Sequence, residues 1–294
     1  MPRRAPFYRS ALPRSAAGAL VALPCAPAAA QPEDDKSAFT LFNPTPRALM
    51  RAMSTDRPDA TESPYTVDAG HWQLELSFID STLDRRSPDG TRTSALAVAP
   101  LLLKVGLTNN IDLQLGLDPF TRVHTTPAGS PRDTAEGFGD TVVRLKINLL
   151  GNDDDDGPAF GFMPYIKLPT ADDDLGNGDV EGGVILPLAA ALPAGFQFGA
   201  MLAFDARRTA DDDSTTVDLV HTATISHALP MDLGAFVEYA GLADLRGLGP
   251  YRASVNTGLT LAITEDVQLD GGVRLGLTRA AEDLAVFAGL SVRF

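Results

Sequence analysis

The chain has 294 residues, a formal net charge of −14 at pH 7, 44% hydrophobic residues and a mean hydropathy of zero. After the first thirty residues it has no stretch of roughly 18 uninterrupted apolar residues, which excludes a helical membrane protein. The excess of acid argues against a nucleic-acid partner, because phosphates are bound through Lys and Arg. A β-barrel remains compatible with neutral hydropathy, since lipid-facing apolar and lumen-facing polar residues alternate along each strand.

Residues 1–30 are typical of an export signal. Arg3, Arg4, Arg9 and Arg14 precede an apolar stretch at residues 16–23, and three alanines at 28–30 precede Gln31. We predict a signal peptide that is cleaved after Ala30. Cleavage would remove Cys25, the only cysteine, and leave 20 basic against 38 acidic residues, a net charge of −18. Two alternatives are an uncleaved Ala-rich terminus and a lipid attached to Cys25, although Pro24 stands where a small residue is usual.

Residues 31–69 contain five prolines and mixed charge, which predicts a periplasmic or plug-like lead-in with little regular structure. Residues 70–294 are predicted to form the barrel. At its start, Trp72, Leu74, Leu76 and Phe78 alternate with Gln73, Glu75 and Ser77, a period of two that no amphipathic helix produces.

Similar segments follow along the chain. Residues 95–107 are more uniformly apolar, and after the turn residues Thr108-Asn109-Asn110 the alternation resumes at 111–118, which predicts a hairpin. Further strands are predicted at 143–149, 160–168, 180–188, 196–204, 217–225, 233–239, 253–261, 267–277 and 286–294. The count is about twelve, each close to the roughly 9–11 residues that a tilted strand needs to cross a bilayer. An even number is typical of bacterial single-chain barrels.

The predicted connections alternate in length. Residues 81–93, 119–136, 170–179, 206–216 and 241–252 are long, whereas 108–110, 192–195, 227–232 and 264–266 are short; 151–157 and 278–283 are intermediate. If both chain ends of the barrel are periplasmic, every long connection lies outside, as in outer-membrane barrels. A soluble β-sandwich gives no reason for this parity. The sequence therefore predicts an all-β, transmembrane, antiparallel up-and-down barrel in the bacterial outer membrane.

The two faces of each strand then have different surroundings. The apolar rows are predicted to face lipid, and the polar rows are predicted to line the lumen: Glu75, Asp112, Gln114, Arg144, Lys146, Lys167, Glu181, Gln197, Glu238, Arg252, Asn256, Asp270 and Arg274. Charges of both signs suit either a substrate path or salt bridges that fill a narrow barrel. His221 is an exception on the lipid-facing row, which indicates either a bulge that shifts the register or contact with a protein partner.

Two features of the connections suggest further roles. The long connection at residues 119–136 could fold inward as a constriction, with Phe120 and Phe138 at its ends; the alternative is a mobile external loop. Aspartate runs at 153–156, 172–174 and 211–213 are interpreted as solvated turns, because no calcium-loop spacing is present. The other reading is divalent-cation binding that bridges lipopolysaccharide phosphates.

No set of residues has the spacing of a catalytic or metal site. His71, His124, His221 and His227 lie in separate elements, and no nucleophile motif is present. The stretch at residues 137–140 lacks the lysine and helix of a phosphate loop. We therefore predict no enzyme activity, no cofactor and no metal. A hydrolase whose triad assembles only in space remains an alternative.

Short motifs resemble those of one family. They are found at residues 56–59 (Asp-Arg-Pro-Asp), 63–67 (Ser-Pro-Tyr-Thr-Val), 70–75 (Gly-His-Trp-Gln-Leu-Glu), 106–111, 137–140, 167–170 and 268–270. From about Ser54 to Phe294 the chain resembles outer-membrane transporters associated with the meta-cleavage pathway of phenol degradation. The closing strand, which ends on Phe294, is similar to those whose terminal aromatic residue is read by the barrel-assembly machinery. The resemblance implies contact with outer-membrane lipid and lipopolysaccharide.

The leading hypothesis is passive passage of small solutes, among them aromatic or poorly soluble ones, through a polar lumen gated by loops. The alternative is a closed structural or adhesion barrel whose mixed charges form ion pairs. A third class is a soluble periplasmic barrel that carries lipid.

Overall fold

The computed structural model describes residues 35–294 except 86, 88, 155–156, 209–213 and 248. The signal peptide predicted at residues 1–30, with Cys25, lies outside the described residues. Contacts within the chain separate Met1–Asp35 from Lys36–Phe294, and every strand among the described residues lies in the second unit.

Fifteen strand segments follow one another along the second unit. They are β1 (Trp72–Asp84), β2 (Arg92–Val98), β3 (Leu101–Thr108), β4 (Ile111–Leu117), β5 (Phe120–Thr126), β6 (Asp133–Gly137), β7 (Thr141–Leu150), β8 (Ala159–Leu168), β9 (Glu181–Ala191), β10 (Phe196–Arg208), β11 (Thr215–Leu229), β12 (Leu233–Asp244), β13 (Arg252–Thr264), β14 (Val267–Gly276) and β15 (Leu284–Arg293). Two three-residue 3₁₀ turns, Arg47–Leu49 and Pro193–Gly195, complete the regular structure of the described residues. In this part of the chain, neither helical segment has the length or apolar character needed to cross a bilayer.

The fifteen segments build twelve barrel strands, because three strands are each made of two segments. β3 and β2 pair with the first and second halves of β1, and β4 and β5 pair in turn with β3 and β2. β7 and β6 then pair with β4 and β5. All other neighbours in the sheet are consecutive and antiparallel, and β15 pairs with β1 to close the cylinder. The predicted up-and-down barrel of about twelve strands is confirmed.

The interruptions in these three strands lie side by side. They fall at residues 99–100, 118–119 and 138–140, and two of them contain a proline, which cannot donate a hydrogen bond to the next strand. Ala99 also has a φ of 60°, outside the strand region of backbone conformation. The prediction of one continuous strand at 95–107 was therefore wrong at this break, although the hairpin with residues 111–117 is present.

The connection predicted at residues 119–136 is mostly strand. β5 and β6 lie within it and pair with each other, and their cross-strand contacts are polar: Arg122 Nε to Glu136 Oε2 at 2.6 Å, and His124 Nδ1 to Thr134 Oγ1 at 2.8 Å. Cross-strand polar pairs stabilise a sheet that projects into water without an apolar row. Because the apolar alternation is missing, the sequence pattern was read as a loop.

Connection lengths differ between the two ends of the barrel. At the end where Trp72 and Phe294 exchange backbone hydrogen bonds of 2.9 Å, the turns are residues 109–110, 151–158, 192–195, 230–232 and 265–266. We call this the short-turn end. The opposite, long-loop end carries residues 85–91, 127–132, 169–180, 209–214, 245–251 and 277–283. The predicted alternation is present, except that several long loops are shorter than expected because the strands extend into them.

The outer surface of the barrel is apolar and the inner surface is largely polar. Outward side chains such as Leu202, Val237 and Leu275 are about half exposed, whereas the inward Glu75, Gln114 and Glu238 are buried. Since lipid cannot satisfy polar groups, this distribution is that of a membrane-spanning barrel.

His221 faces outward without any bulge. β11 pairs with both of its neighbours in unbroken register, so the first of the two alternatives, a register shift, is absent, and contact with a protein partner stays a prediction. The ring nitrogen Nε2 lies 2.9 Å from the Tyr251 hydroxyl, and the ring lies 5.8 Å from that of Tyr251 and 6.0 Å from that of Tyr239. Nε2 is thus paired within the outer surface itself, whereas Nδ1 has no hydrogen-bond partner among the described residues.

Candidate solute pathway

The segment before the first strand lies inside the barrel. Residues 51–67, which we call the plug, hydrogen-bond to inward-facing side chains of β1, β4, β7, β11, β12, β14 and β15. Prolines at 58 and 64 limit regular structure here, so the backbone groups of the plug are satisfied by the barrel wall instead. The plug is therefore part of the lumen and decides how much space remains in it.

Asp56 is the centre of the plug's ionic contacts. Its carboxylate is ion-paired with Lys104 of β3 and, at 2.7 Å, with Lys146 of β7; Lys104 also pairs with Glu75 of β1. The Asp56 backbone N–H donates to Glu75, and these four side chains are all almost completely buried. Burial would raise the pKa of Asp56, but the two ammonium groups outweigh it and hold the pKa below its ordinary value.

Arg57 attaches the plug to the strands that close the barrel. Its guanidinium makes two hydrogen bonds to Asp270 of β14, at 2.7 and 3.1 Å, and one to the Ser77 hydroxyl of β1. Gly289 of β15 provides the space for it, because a Cβ at this position would overlap the guanidinium. A glycine at an inward position thus marks where the plug touches the wall.

On the other side of the lumen the plug lies on Glu238 of β12. This carboxylate accepts hydrogen bonds from the Ala60 N–H at 2.9 Å, the Thr61 hydroxyl at 2.5 Å and Asn256 at 2.5 Å. Within the described part of the chain, no Lys or Arg nitrogen forms an ion pair with it. Burial, reinforced by the charge of Glu238, raises the pKa of neighbouring Asp59 to about 7.

The plug returns to the wall near β7 before it reaches β1. Glu62 accepts a 2.6 Å ion-paired hydrogen bond from Arg144, and burial raises the pKa of Glu62 although Arg144 opposes the shift. Asn148 then donates to the Pro64 carbonyl, and the Val67 N–H donates to Asp112, both at 3.0 Å. The plug therefore forms a loop that rises from the short-turn end and returns to it.

Cavities lie on both sides of this loop. Toward the long-loop end, a cavity of about 310 Å³ is lined by Asp56, Arg57 and Glu62 with β1, β3, β4 and β7, and another of about 300 Å³ touches Ala60 and β11–β14. Toward the short-turn end, a cavity of about 200 Å³ lies between plug residues and β9–β11. Glu62 lines both the 310 Å³ cavity toward the long-loop end and the 200 Å³ cavity toward the short-turn end. Residues 59–63 are thus the barrier between the two sides.

The lumen residues predicted from sequence fall into three groups: residues deep in the barrel, an ion pair near the long loops, and residues that line cavities. Those deepest in the barrel contact the plug or one another: Glu75, Asp112, Gln114, Arg144, Lys146, Glu238, Asn256 and Asp270. Lys167 and Glu181 form an ion pair of 2.8 Å near the long loops, and Lys167 also pairs with Asp140. Arg252 and Arg274 line the cavity at β11–β14, and Gln197 lines the one toward the short-turn end.

The two phenylalanines predicted to form a constriction are not brought together. Phe120 is in β5 on the outward row, since it pairs with Val98, and the Arg122 guanidinium carbon lies 5.5 Å from its ring centre. Phe138 lies in the break between β6 and β7, where its backbone bonds to Asp172 of the next long loop. Because β5 and β6 are paired strands of the wall, they form neither the inward constriction nor the mobile external loop that were the two alternatives.

The remaining predicted residues are dispersed. Phe294 is exposed at the outer surface, and its role in assembly stays a prediction. His71 and His227 each contact a backbone carbonyl, of Thr45 and Ala194 respectively. Of the aspartate runs, residues 155–156 and 211–213 lie outside the described residues; Asp153 is held by Lys36 and Arg51, which lower its pKa against the opposing effect of burial.

Two groups of residues were missed by the analysis of single strands. One is the set of plug residues Asp56, Asp59, Thr61 and Glu62. Asp56 and Asp59 entered only through a motif of the family resemblance, and Thr61 and Glu62 were not noticed. The other is a buried apolar cluster on the inner wall, formed by Met163, Ile185, Met201 and Ala203. The inward position of Met201 between Gly199 and Ala203 was a signal that one part of the lumen is not polar.

Residues 55–294 match the family model described as "Putative MetA-pathway of phenol degradation". The chain belongs to this family. The match begins within the plug and extends to the last residue of the barrel. No curated protein sequence matches the chain.

Solved structures similar to this chain include outer-membrane channels, porins and autotransporter translocator domains. An outer membrane channel from Pseudomonas putida F1 aligns with a TM-score of 0.63 at 12% identity, over 82% of this chain and all of the other. The NanC porin aligns with a TM-score of 0.46 at 10% identity, over 75% and 98% of the two chains. The CymD monoaromatic hydrocarbon channel aligns at 0.40 and 8%, over 76% and 87%. The first likeness shows the shared fold, and the other two are too distant to inform on this chain.

Proposed function

We propose that this chain is a passive channel of the bacterial outer membrane through which small solutes diffuse. The cavities on both sides of residues 59–63 carry this proposal, because one short stretch of chain separates them. Its closed barrel and its likeness in fold to an outer membrane channel support the location. In this proposal, residues 1–30 direct export, the assembly machinery recognises Phe294, and lipid and lipopolysaccharide surround the apolar surface.

The mechanism is diffusion past a plug that is held around most of the lumen wall and leaves a cavity beside β9 and β10. Asp56 and Arg57 hold it against β1, β3, β7 and β14, whereas toward β9 and β10 a cavity separates it from the wall. A solute that enters from the long-loop end reaches the plug and passes beside β9 and β10 once the contact of Thr61 with Thr222 of β11 opens. No catalytic step belongs to this function, and we propose that the protein is not an enzyme.

A second function is favoured by a specific observation. The buried ion pairs around Asp56 are those expected of a barrel closed for structural or adhesive purposes. Currents through planar bilayers distinguish the two functions. Stepwise conductance from purified, folded protein supports the channel, whereas persistent silence from protein that still shows heat-modifiable gel migration supports the closed barrel. Recovery of the protein in the soluble periplasm without detergent would contradict both and favour a lipid carrier.

A further inference from the structure

The cavity between the plug and β9–β11 has a lining that is polar but carries few charges. Most of its side chains end in a hydroxyl group or an amide, among them Ser54, Ser63, Gln197, Thr224 and Ser226. Within the described part of the chain, no Lys or Arg lines it. It therefore differs from the cavity toward the long-loop end, where carboxylates and guanidiniums face the space.

The two acids that line this cavity add little charge to it. Burial, reinforced by the charge of Glu238, raises the pKa of Asp59 to about 7, so this carboxyl group keeps its proton at pH 6. Glu62 is neutralised by its 2.6 Å ion pair with Arg144. An ion that enters this space thus gives up part of its water shell without meeting an unpaired opposite charge, which costs free energy. An uncharged solute does not have this cost.

One wall of the cavity is formed by two cross-strand pairs of β10 and β11. Gln197 pairs with Ser226, and Gly199 pairs with Thr224. Among the described residues, the side chains of Gln197 and Ser226 have no hydrogen-bond partner, and both line the cavity. An amide and a hydroxyl group each have donors and acceptors, so this wall can bind a molecule that offers both.

The plug supplies hydroxyl groups on the opposite side. The hydroxyl oxygens of Ser54 and Ser63 lie 2.6 Å apart, and each retains acceptor capacity beyond the hydrogen bond between them. The volume of the cavity is about 200 Å³. In another protein a cavity of about 150 Å³ holds a molecule of about six non-hydrogen atoms, so this one has room for roughly eight.

We propose that this cavity binds small, uncharged aliphatic molecules that carry several hydroxyl groups, of the size of a four-carbon polyol. The inference rests on the proposed function, since it specifies a solute class for the same pathway. Such a molecule exchanges its hydrogen bonds with water for those with Gln197, Ser226 and the hydroxyl groups of the plug, without any change in charge. A site built to bind hydroxyl groups discriminates against molecules that lack them, because its own polar groups are then left unpaired.

The test is binding of erythritol, a four-carbon polyol, to the full, folded protein at pH 6. Saturation-transfer NMR measures it, in a detergent whose head group is neither a sugar nor a polyol. The comparison molecules are 1,2-dimethoxyethane, which is uncharged and of similar size but has no hydroxyl group, and succinate, which is an anion. Erythritol is expected to bind, and the other two are expected not to.

The variant that tests the site is Gln197→Met combined with Ser226→Ala. It removes the hydrogen-bonding groups of the wall, so the affinity for erythritol is expected to fall roughly tenfold. The control is Ser130→Ala, because Ser130 is exposed in the connection at residues 127–132, at the long-loop end. Its affinity for erythritol is expected to equal that of the wild type.

Ser226→Ala alone is the second variant if the double variant does not show heat-modifiable migration. Equal erythritol signals in the wild type and in the folded variant would overturn the site, as would equal binding of 1,2-dimethoxyethane. Bilayer currents are recorded on the same preparations. Currents without erythritol binding leave the channel intact and remove the polyol site; binding without currents retains the site and removes the channel.

Discussion

At the scale of single residues, the buried carboxylates inside this barrel differ in how many positively charged partners they have. Asp56 has two ammonium partners, whereas Glu238 is satisfied by neutral donors alone in the part of the chain that the structure describes. A buried carboxylate between two cations holds its position firmly. A buried carboxylate next to another acid is sensitive to pH. The plug contains one residue of each kind, Asp56 and Asp59.

Replacing Asp56 with Asn is expected to loosen the plug. The change leaves Lys104 and Lys146 buried with Glu75 as the nearby counter-charge, and breaking a buried ion pair typically costs about 3–5 kcal/mol. Single-channel conductance should rise roughly twofold or more, and protease should cleave residues 36–69 faster. Asp133→Asn is the control, because Asp133 is exposed in β6. Conductance equal to that of wild type would show that Asp56 does not hold the plug.

The raised pKa of Asp59 predicts that the plug docks more weakly to the barrel wall as the pH rises. In the docked plug this pKa is about 7, above the ordinary value of 3.8 that applies when the side chain is in water. Between these two values the docked form retains the proton and the undocked form loses it, so docking weakens as pH rises from about 4 to 7. Conductance should therefore be higher at pH 8 than at pH 5. In Asp59→Asn the difference should largely disappear, and a steep dependence that persists there would assign it to another group.

At the scale of elements, the plug and β11 meet at a contact that can be locked. The hydroxyl oxygens of Thr61 and Thr222 are 2.7 Å apart, close enough for cysteines at both positions to form a disulfide. In a Cys25→Ser background, Thr61→Cys with Thr222→Cys should reduce solute flux when oxidised and restore it when reduced. Liposome swelling measures the flux. Each single cysteine is the control, and the plug would be shown not to move if oxidation had no effect on flux.

The regular strands and a plug-like segment before them could be predicted from the sequence, but the contacts of the plug and the wall above the lipid could not. Residues such as Trp72, Leu74 and Leu76 alternate with polar ones because lipid selects one face and the lumen selects the other, and this period locates β1, β4 and β7–β15. In β5, Arg122 and His124 face water, so no such selection acts and the strand was read as a loop. The plug has no period at all, because its partners are distant in sequence: Arg57 and Asp270 are 213 residues apart.

At the scale of the whole molecule, the excess of acid predicts selectivity for cations. The cavity between the plug and the long-loop end is lined by six carboxylates, Asp56, Glu62, Glu75, Asp80, Asp118 and Asp140, against the two guanidiniums of Arg57 and Arg144. A confined space lined by one sign of charge concentrates the opposite ion. Reversal potentials in KCl gradients should give a K⁺ to Cl⁻ permeability ratio of about 3 or more near 0.1 M.

The same ratio should approach 1 near 1 M salt, where the screening length is about 3 Å. Asp118→Asn, which removes one charge between β4 and β5, should lower the ratio at low salt. Preference for chloride at any concentration would contradict this account, and would indicate that the basic residues behind the lining, Lys104 and Lys146, determine the potential.

The plug runs without a break into the first strand, since Val67 is followed after four residues by Trp72. A plug that is joined to the first strand by so short a connection cannot diffuse away when it leaves its docked position. Its local concentration stays in the range of about 1 mM or higher, so recapture is a first-order event that does not depend on how many copies occupy the membrane. Each opening is therefore temporary, and the cell needs no second protein to reseal the pore.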